Sequence, residues 1–357
     1  MVRLLESGAA GGVFPGASAC VLYRDPDSGT AISVRAAGGV LARGEAPVRE
    51  ATCFDLASLT KPFVASAAAR MVSRGALSFG VLVDEVLADA RGTSLAGVTL
   101  ERLLSHESGL DAWGGLYLDV QHEVGSAAAR RWIVSEAMRR DGDQNKGMVY
   151  SDLGYIVAGE LLAKVAGRPL QDVVRAEVLA PLEIEERVFY AGALTAAARH
   201  QLAPEVPPTE RCDWRGRVVR AEVHDENCAA LGGIAGHAGL FGDAESVARL
   251  GLAWLDVLAG RGDFVRASVR DRMFATRPGS HRLGWDTKSE GGSAAGQRMG
   301  PRTFGHLGFT GTSIWSDPDR DLVVVLLSNR VHPTRSNTKI KTFRPAFYDG
   351  VVHTFDG

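Results

Sequence analysis

The spacing of hydrophobic residues changes character twice along the chain. Near the start, residues 17–23 and 30–35 are short β-type runs flanking Asp25, Pro26 and Gly29, residue types that suit a tight connection, so the pattern predicts a hairpin. Residues 58–73 are dense in alanine, with Phe63, Val64, Met71 and Val72 at roughly helical spacing. Pro62 falls in the first turn and Gly75 suits the end. Thr99 is a candidate cap for a helix carrying Leu100, Leu103 and Leu104 on one face.

The middle of the chain has helical periodicity over residues 127–139, 153–165, 170–179 and 244–258. Residues 203–216, with Pro204, Pro207 and Pro208, predict an irregular crossing over the surface. The last third returns to strands. Residues 303–315 and 321–327 read as a hairpin, and the apolar run 322–327 reads as an interior sheet strand. A terminal helix is expected over 339–347, with Pro345 blurring its limits. Strand pairs at both ends around a helical middle imply an α/β (α+β) fold whose antiparallel sheet joins the two chain ends. The expectation is one domain over 1–357, with sheet from about 1–75 and 275–357 and a mainly helical part over about 76–274.

Composition narrows the function classes. Lys plus Arg number 40 against 42 Asp plus Glu, a net charge of -2 that gives no electrostatic case for nucleic acid. Cys20, Cys53, Cys212 and Cys228 lie far apart without metal-site spacing, which reads as ordinary thiols in a reducing compartment. No apolar run suggests a membrane span or a signal segment, so the expected location is cytoplasmic, or periplasmic or secreted if an export signal has been removed.

The candidate chemistry lies in three separated stretches. Ser58 and Lys61 are three residues apart at a helix start, so their side chains share a face, and an amine beside a serine hydroxyl can take or relay its proton. The same spacing also fits an N-cap serine and a solvated lysine. Tyr150 and Asp152 precede an apolar helix, where a phenol can project into a cleft while its neighbour caps the helix; a packing tyrosine and a simple cap fit equally. Finally, Gly305, His306, Gly308 and Gly311 space a strand in the way that marks close approach of a ligand or another backbone, or a bulge.

Together these stretches resemble the serine beta-lactamase and penicillin-binding protein superfamily, in particular its class C-like, esterase-like branch. Ser58-x-x-Lys61 matches the first motif, Tyr150-Ser151-Asp152 the second (Tyr-x-Asn), and His306-Leu307-Gly308 the third (Lys-Thr-Gly or His-x-Gly). The tract 103–110, containing His106, and the segments 224–227 and 232–241 are also similar to that branch. The resemblance implies a beta-lactamase/transpeptidase-like fold with the site between sheet and helical parts. It also implies Ser58 as nucleophile, Lys61 and Tyr150 sharing the base duty, and backbone N–H groups of Ser58 and Phe309 as the oxyanion hole. Asp152, His306 and Gly308 would support substrate binding.

Two departures qualify that pattern. Asp152 replaces an amide with a carboxylate that only accepts hydrogen bonds when ionised, and His306 is no permanent cation. Both move the expectation from an efficient beta-lactamase toward an esterase or a D-amino-acid peptidase or amidase. A class C-like beta-lactamase and a non-catalytic penicillin-binding-like recognition protein remain as alternatives. His106 and His224 are read as loop-ordering residues, and Trp285 with residues 291–296 as a mobile rim of the cleft. The implied partner is a small ester, amide or peptide; the chemistry requires no cofactor and no metal, and oligomeric state is not legible.

Overall fold

A computed structural model describes residues 1–356. Its strands are β1 (Gly16–Arg24), β2 (Ala31–Gly39), β3 (Phe54–Asp55), β4 (Phe189–Tyr190), β5 (Arg211–Cys212), β6 (Arg217–Val218), β7 (Leu240–Gly242), β8 (Asp286–Thr287), β9 (Phe304–Leu307), β10 (Ser313–Asp317) and β11 (Leu322–Ser328). Six of them form the main antiparallel sheet, in the order β2-β1-β11-β10-β9-β8. The chain ends meet at its centre, where β1 pairs with β11 from Ala17 opposite Ser328 to Tyr23 opposite Leu322.

The continuous apolar run of β11 follows from burial on both faces. Leu322, Val324 and Leu326 join Leu5, Phe347, Tyr348 and Val352 in a cluster under the N- and C-terminal helices. Val323, Val325 and Leu327 face the other way, into the main core with Phe63, Leu250 and Trp254. The helix Ala244–Leu258 therefore lies on the sheet, although it falls within the stretch expected to be the helical part.

Several elements match the pattern of the sequence. The helices Thr60–Ser73 and Ala127–Arg139 form where expected, the first preceded by a 3-10 turn over Ala57–Leu59, and Thr99 accepts from the Arg102 N–H as a cap. Others differ. The helix Val2–Ala10 has no counterpart in the sequence pattern, because its large apolar residues, Val2, Leu4 and Leu5, are confined to one turn and the rest of it is Ser, Gly, Ala and charge. The stretch 303–315 is two strands, with Gly308 and Gly311 turning the chain between β9 and β10 and the Gly308 N–H donating to Thr312 O at 2.7 Å. The segment expected as one helix over 170–179 is α-helical over Leu170–Val174 and then widens to a π turn over Arg175–Leu179. The terminal helix runs over Ile340–Asp356, through Pro345. Residues 203–216 are irregular apart from a 3-10 turn over Ala203–Glu205 and the two-residue β5, and Val206, Thr209 and Glu210 are buried rather than superficial. Trp285 is no part of a mobile rim: it is fully buried, edge-on to Phe304 at 5.1 Å.

Gly305 in β9 shows why glycine is needed opposite Trp315 of β10, since a Cβ there would overlap Ile314 O and the Trp315 ring. Gly305→Ala is expected to destabilise the protein by about 1–3 kcal/mol through overpacking, read as a lower denaturation midpoint at unchanged slope. An unchanged midpoint would show that Trp315 can move aside without cost.

Candidate active site

The turn carrying Ser58 is held from several sides. Ala57 adopts a left-handed conformation with φ 47°, sparsely populated for a residue with a Cβ. Its N–H donates to Asp55 Oδ1 at 2.8 Å, and the second oxygen of that buried carboxyl accepts from the His224 N–H at 2.6 Å. Burial raises the Asp55 pKa, although these two backbone hydrogen bonds pull it down. From the β9–β10 turn, Thr310 Oγ1 donates to Asp55 O at 2.8 Å and Thr312 Oγ1 donates to Leu56 O at 3.0 Å. Gly308 leaves room for this clamp: a Cβ on it would strike Thr312 Oγ1 and approach Leu56 O to 2.8 Å.

Ser58 itself is half-buried and lines a cleft of ≈ 760 Å³. The fully buried Lys61 side chain ends within hydrogen-bond reach of three oxygens: Nζ donates to Ser58 Oγ at 2.9 Å, Tyr150 Oη at 2.8 Å and Asp152 Oδ1 at 2.6 Å. An ammonium has three donors, and each finds one acceptor here. Burial pulls the Lys61 pKa down, but the Asp152 charge and the hydrogen bonds outweigh it and leave the amine above its ordinary value. The Tyr150 phenol is pushed up by burial, with the Lys61 charge pulling the other way. Asp152 is the first residue of its helix rather than the cap; Ser151 is the cap, its side chain accepting from the Gly154 N–H at 3.1 Å.

His106 positions the segment that carries Tyr150. Its carbonyl accepts from the Val149 N–H at 2.9 Å and its Nδ1 from the Ser151 N–H at 3.0 Å, so it holds the backbone on both sides of Tyr150. Its ring also lies 4.5 Å from the phenol ring. Because Nδ1 accepts, the neutral imidazole carries its proton on Nε2, and burial keeps its pKa well below the usual value. His306 is the opposite tautomer: Nδ1 lies 2.9 Å from Leu307 O, which can only accept, so Nδ1 donates. Burial, and then the nearby Lys61 charge, drive its pKa well down, leaving a neutral ring 5.9 Å from that of Tyr150.

His224 links several layers. Its Nε2 lies 2.9 Å from Glu210 Oε2 and its ring stacks on Phe309 at 5.6 Å. Glu210, despite burial, is held down to about 2 by hydrogen bonds from His224 and Arg335. Phe309 projects at the cleft mouth, 48% exposed, beneath the Arg330 guanidinium at 4.6 Å.

The cleft also contains residues that sequence patterns did not single out. His281, its pKa lowered by burial, lies 5.3 Å from the Tyr150 ring and 5.0 Å from that of His106. Arg344 donates to Gly308 O and Thr312 O, both at 2.7 Å, and Arg330 to Phe309 O at 2.9 Å, bracing the β9–β10 turn. Each is an isolated residue in its segment, with no motif or periodicity to mark it. Among the described residues, no group of three His, Cys, Asp or Glu side chains is arranged to hold a metal ion, and no helix is long and apolar enough to cross a membrane.

Comparison with known proteins agrees with this architecture. N-acetylmuramyl-L-alanine amidase from Bacillus subtilis is 28% identical over 363 residues, covering 92% of this chain and 80% of that protein. A putative D-alanyl-D-alanine carboxypeptidase from Salmonella agona is 26% identical, covering 81% of this chain and 72% of that protein. Two solved structures share the fold: EstCE1, a hydrolase with promiscuous acyltransferase activity (TM-score 0.71, 20% identity, 97% of each chain), and a class C beta lactamase from Rhodobacter sphaeroides (TM-score 0.70, 19% identity, 99% of this chain and 98% of that one). The family model described as Beta-lactamase matches residues 1–346, so the chain belongs to the beta-lactamase family.

Proposed function

We propose that this acyl-transferring serine hydrolase is an amidase, cleaving a small amide or peptide through an acyl-enzyme on Ser58. The observation that carries the reading is the single amine of Lys61 in contact with Ser58 Oγ, Tyr150 Oη and Asp152 Oδ1. The amide preference draws on the two relatives whose names describe an amidase and a carboxypeptidase.

Ser58 Oγ attacks the carbonyl carbon and its proton passes to the Lys61–Tyr150 pair. The C–N bond then breaks as that pair returns a proton to the departing nitrogen. Water attacks the acyl carbon next, gives a proton to the pair, and displaces Ser58, which recovers its own proton. Lys61 and Tyr150 act as one titrating pair, with the Asp152 carboxylate in contact with the amine. With the amine charged and the phenol neutral at rest, the pair accepts a proton only after releasing one to water through the cleft. The Phe309 N–H, without an acceptor among the described residues, and the Ser58 N–H are the donors for the oxyanion; losing one such donor costs roughly 3 kcal/mol of transition-state stabilisation.

Intact-mass measurement over a panel of short-chain esters, D-amino-acid amides, N-acyl amino acids and beta-lactams tests the reading. A transient acyl adduct on the wild type, absent from Ser58→Ala and accompanied by amide turnover, is the expected result. Turnover confined to beta-lactams would assign a beta-lactamase, and persistent adducts without turnover would assign a recognition protein. Tyr150→Phe is expected to slow acylation by roughly 10²–10⁴-fold while leaving the fold intact, since only one hydroxyl is removed. Equal turnover by this variant would exclude the phenol from the chemistry.

The pH profile of kcat/KM on a small ester tests the role of Asp152. Its anion favours the ammonium, so in Asp152→Asn the Lys61 pKa falls and the base-competent form appears at lower pH. The rising limb is expected to move down by about 1–3 pH units. A limb that stays in place or moves up would show that Asp152 does not hold the Lys61 proton.

A further inference from the structure

Trp113 is 47% exposed where it lines the catalytic cleft, and both flanks of its backbone are fastened. On one side the Asp152 N–H donates to Ala112 O at 2.8 Å and Ser151 Oγ donates to Asp111 O at 2.6 Å. On the other, Asn227 Nδ2 donates to Gly114 O at 2.7 Å and Asn227 Oδ1 accepts from the Tyr117 N–H at 3.0 Å. A large indole held in water by an anchored backbone is a preorganised contact surface.

Two further aromatic rings follow Trp113, tilted against one another. The Tyr117 ring lies 6.5 Å from that of Trp113 and 4.8 Å from that of Trp214. Trp214 lines a second cavity of ≈ 710 Å³, together with His122, Arg199, Arg215 and Arg217. Arg217 is engaged with Glu222 at 2.7 Å, whereas Arg215 lies 5.1 Å over the Trp214 ring and donates to His224 O at 3.3 Å and Asp225 O at 3.4 Å. His224 and Asp225 line the catalytic cleft, so one guanidinium ties the wall of one cavity to the wall of the other.

We propose that Trp113, Tyr117 and Trp214 form a ledge for a saccharide ring of the substrate, with Arg199 and Arg215 receiving its polar rim. An alkyl group would find the aromatic faces but then a cavity lined by arginine and histidine. A sugar presents an apolar C–H face to stack on the rings and a hydroxylated edge to meet the guanidinium donors. This deepens the amidase reading and rests on it, because it makes the scissile amide one that is joined to a sugar. It also gives Asn227 a function as a positioning residue, fixing the loop that bears Trp113 and Tyr117.

Two measurements test the ledge. Titration of the wild type with N-acetylmuramic acid, which has the sugar and a free lactyl carboxylate but no amide to an amino acid, is expected to give a saturable change in tryptophan fluorescence that Trp113→Ala weakens. Hydrolysis of N-acetylmuramoyl-L-alanine is then compared with that of N-lactoyl-L-alanine, the same amide without the sugar. Trp113→Ala is expected to raise KM for the sugar-bearing amide by about 3- to 10-fold more than for the sugar-free amide, and Trp113→Phe to restore much of that difference. No saturable fluorescence change in the wild type, or equal losses on both amides, would overturn the proposal. Intact sugar binding with turnover of neither amide would uphold the ledge and overturn the amidase reading instead.

Discussion

A buried ammonium with three oxygens around it is the constraint on which the site depends. Lys61 is removed from water, and a buried charge is tolerated only when paired and hydrogen-bonded. Its three acceptors come from the nucleophile turn and from the Tyr150–Asp152 segment, 89 to 91 residues further along the chain. Satisfying the lysine therefore brings the Ser58 hydroxyl, the phenol and the carboxylate into one place. The geometry that solves a burial problem is the geometry that the proposed chemistry needs.

The remaining wall of the cleft is tied to that arrangement by hydrogen bonds. Thr310 and Thr312 reach from the β9–β10 turn to the carbonyls just before Ser58, and Arg330 and Arg344 hold the turn from behind. Gly308 is the residue that lets the turn and the nucleophile approach so closely. Because β9 and β10 extend a sheet whose centre pairs β1 with β11, the position of Phe309 relative to Ser58 follows from joining the two chain ends.

Much of this was legible in the sequence, for identifiable reasons. The doubly buried β11 appears as an unbroken apolar run, and Ser58 and Lys61 share a face because helical spacing requires it. The three motifs, read together as a family resemblance, supplied what periodicity could not: which distant stretches converge. Single residues acting through tertiary contacts left no such mark. Asn227 ends the 224–227 segment that the resemblance marks, but nothing there encodes that its amide meets the loop at Gly114 and Tyr117, and nothing beside His281 encodes that its ring reaches Tyr150. Trp285 was misjudged because the glycine-rich stretch that follows it looks mobile, whereas the indole sits against Phe304 in the core. The break between β9 and β10 was hidden because glycines that serve a close approach and glycines that turn a chain look alike in one dimension.

The two departures from the usual motif residues have a common electrostatic meaning. His306 contributes no charge where a lysine would contribute one, and His106 and His281 are likewise held toward neutrality by burial. With Asp152 supplying an anion beside Lys61, the reacting end of the cleft contains one charge of each sign, in direct contact. A carbonyl entering there meets balanced charges and neutral rings rather than a cationic pocket, and the oxyanion formed on attack depends on backbone donors for its stabilisation. On the proposed mechanism, selectivity arises further out in the same cleft, where Phe309 and Trp113 are exposed. The proposed chemistry then occupies the buried end of the cleft, and the choice of substrate its mouth.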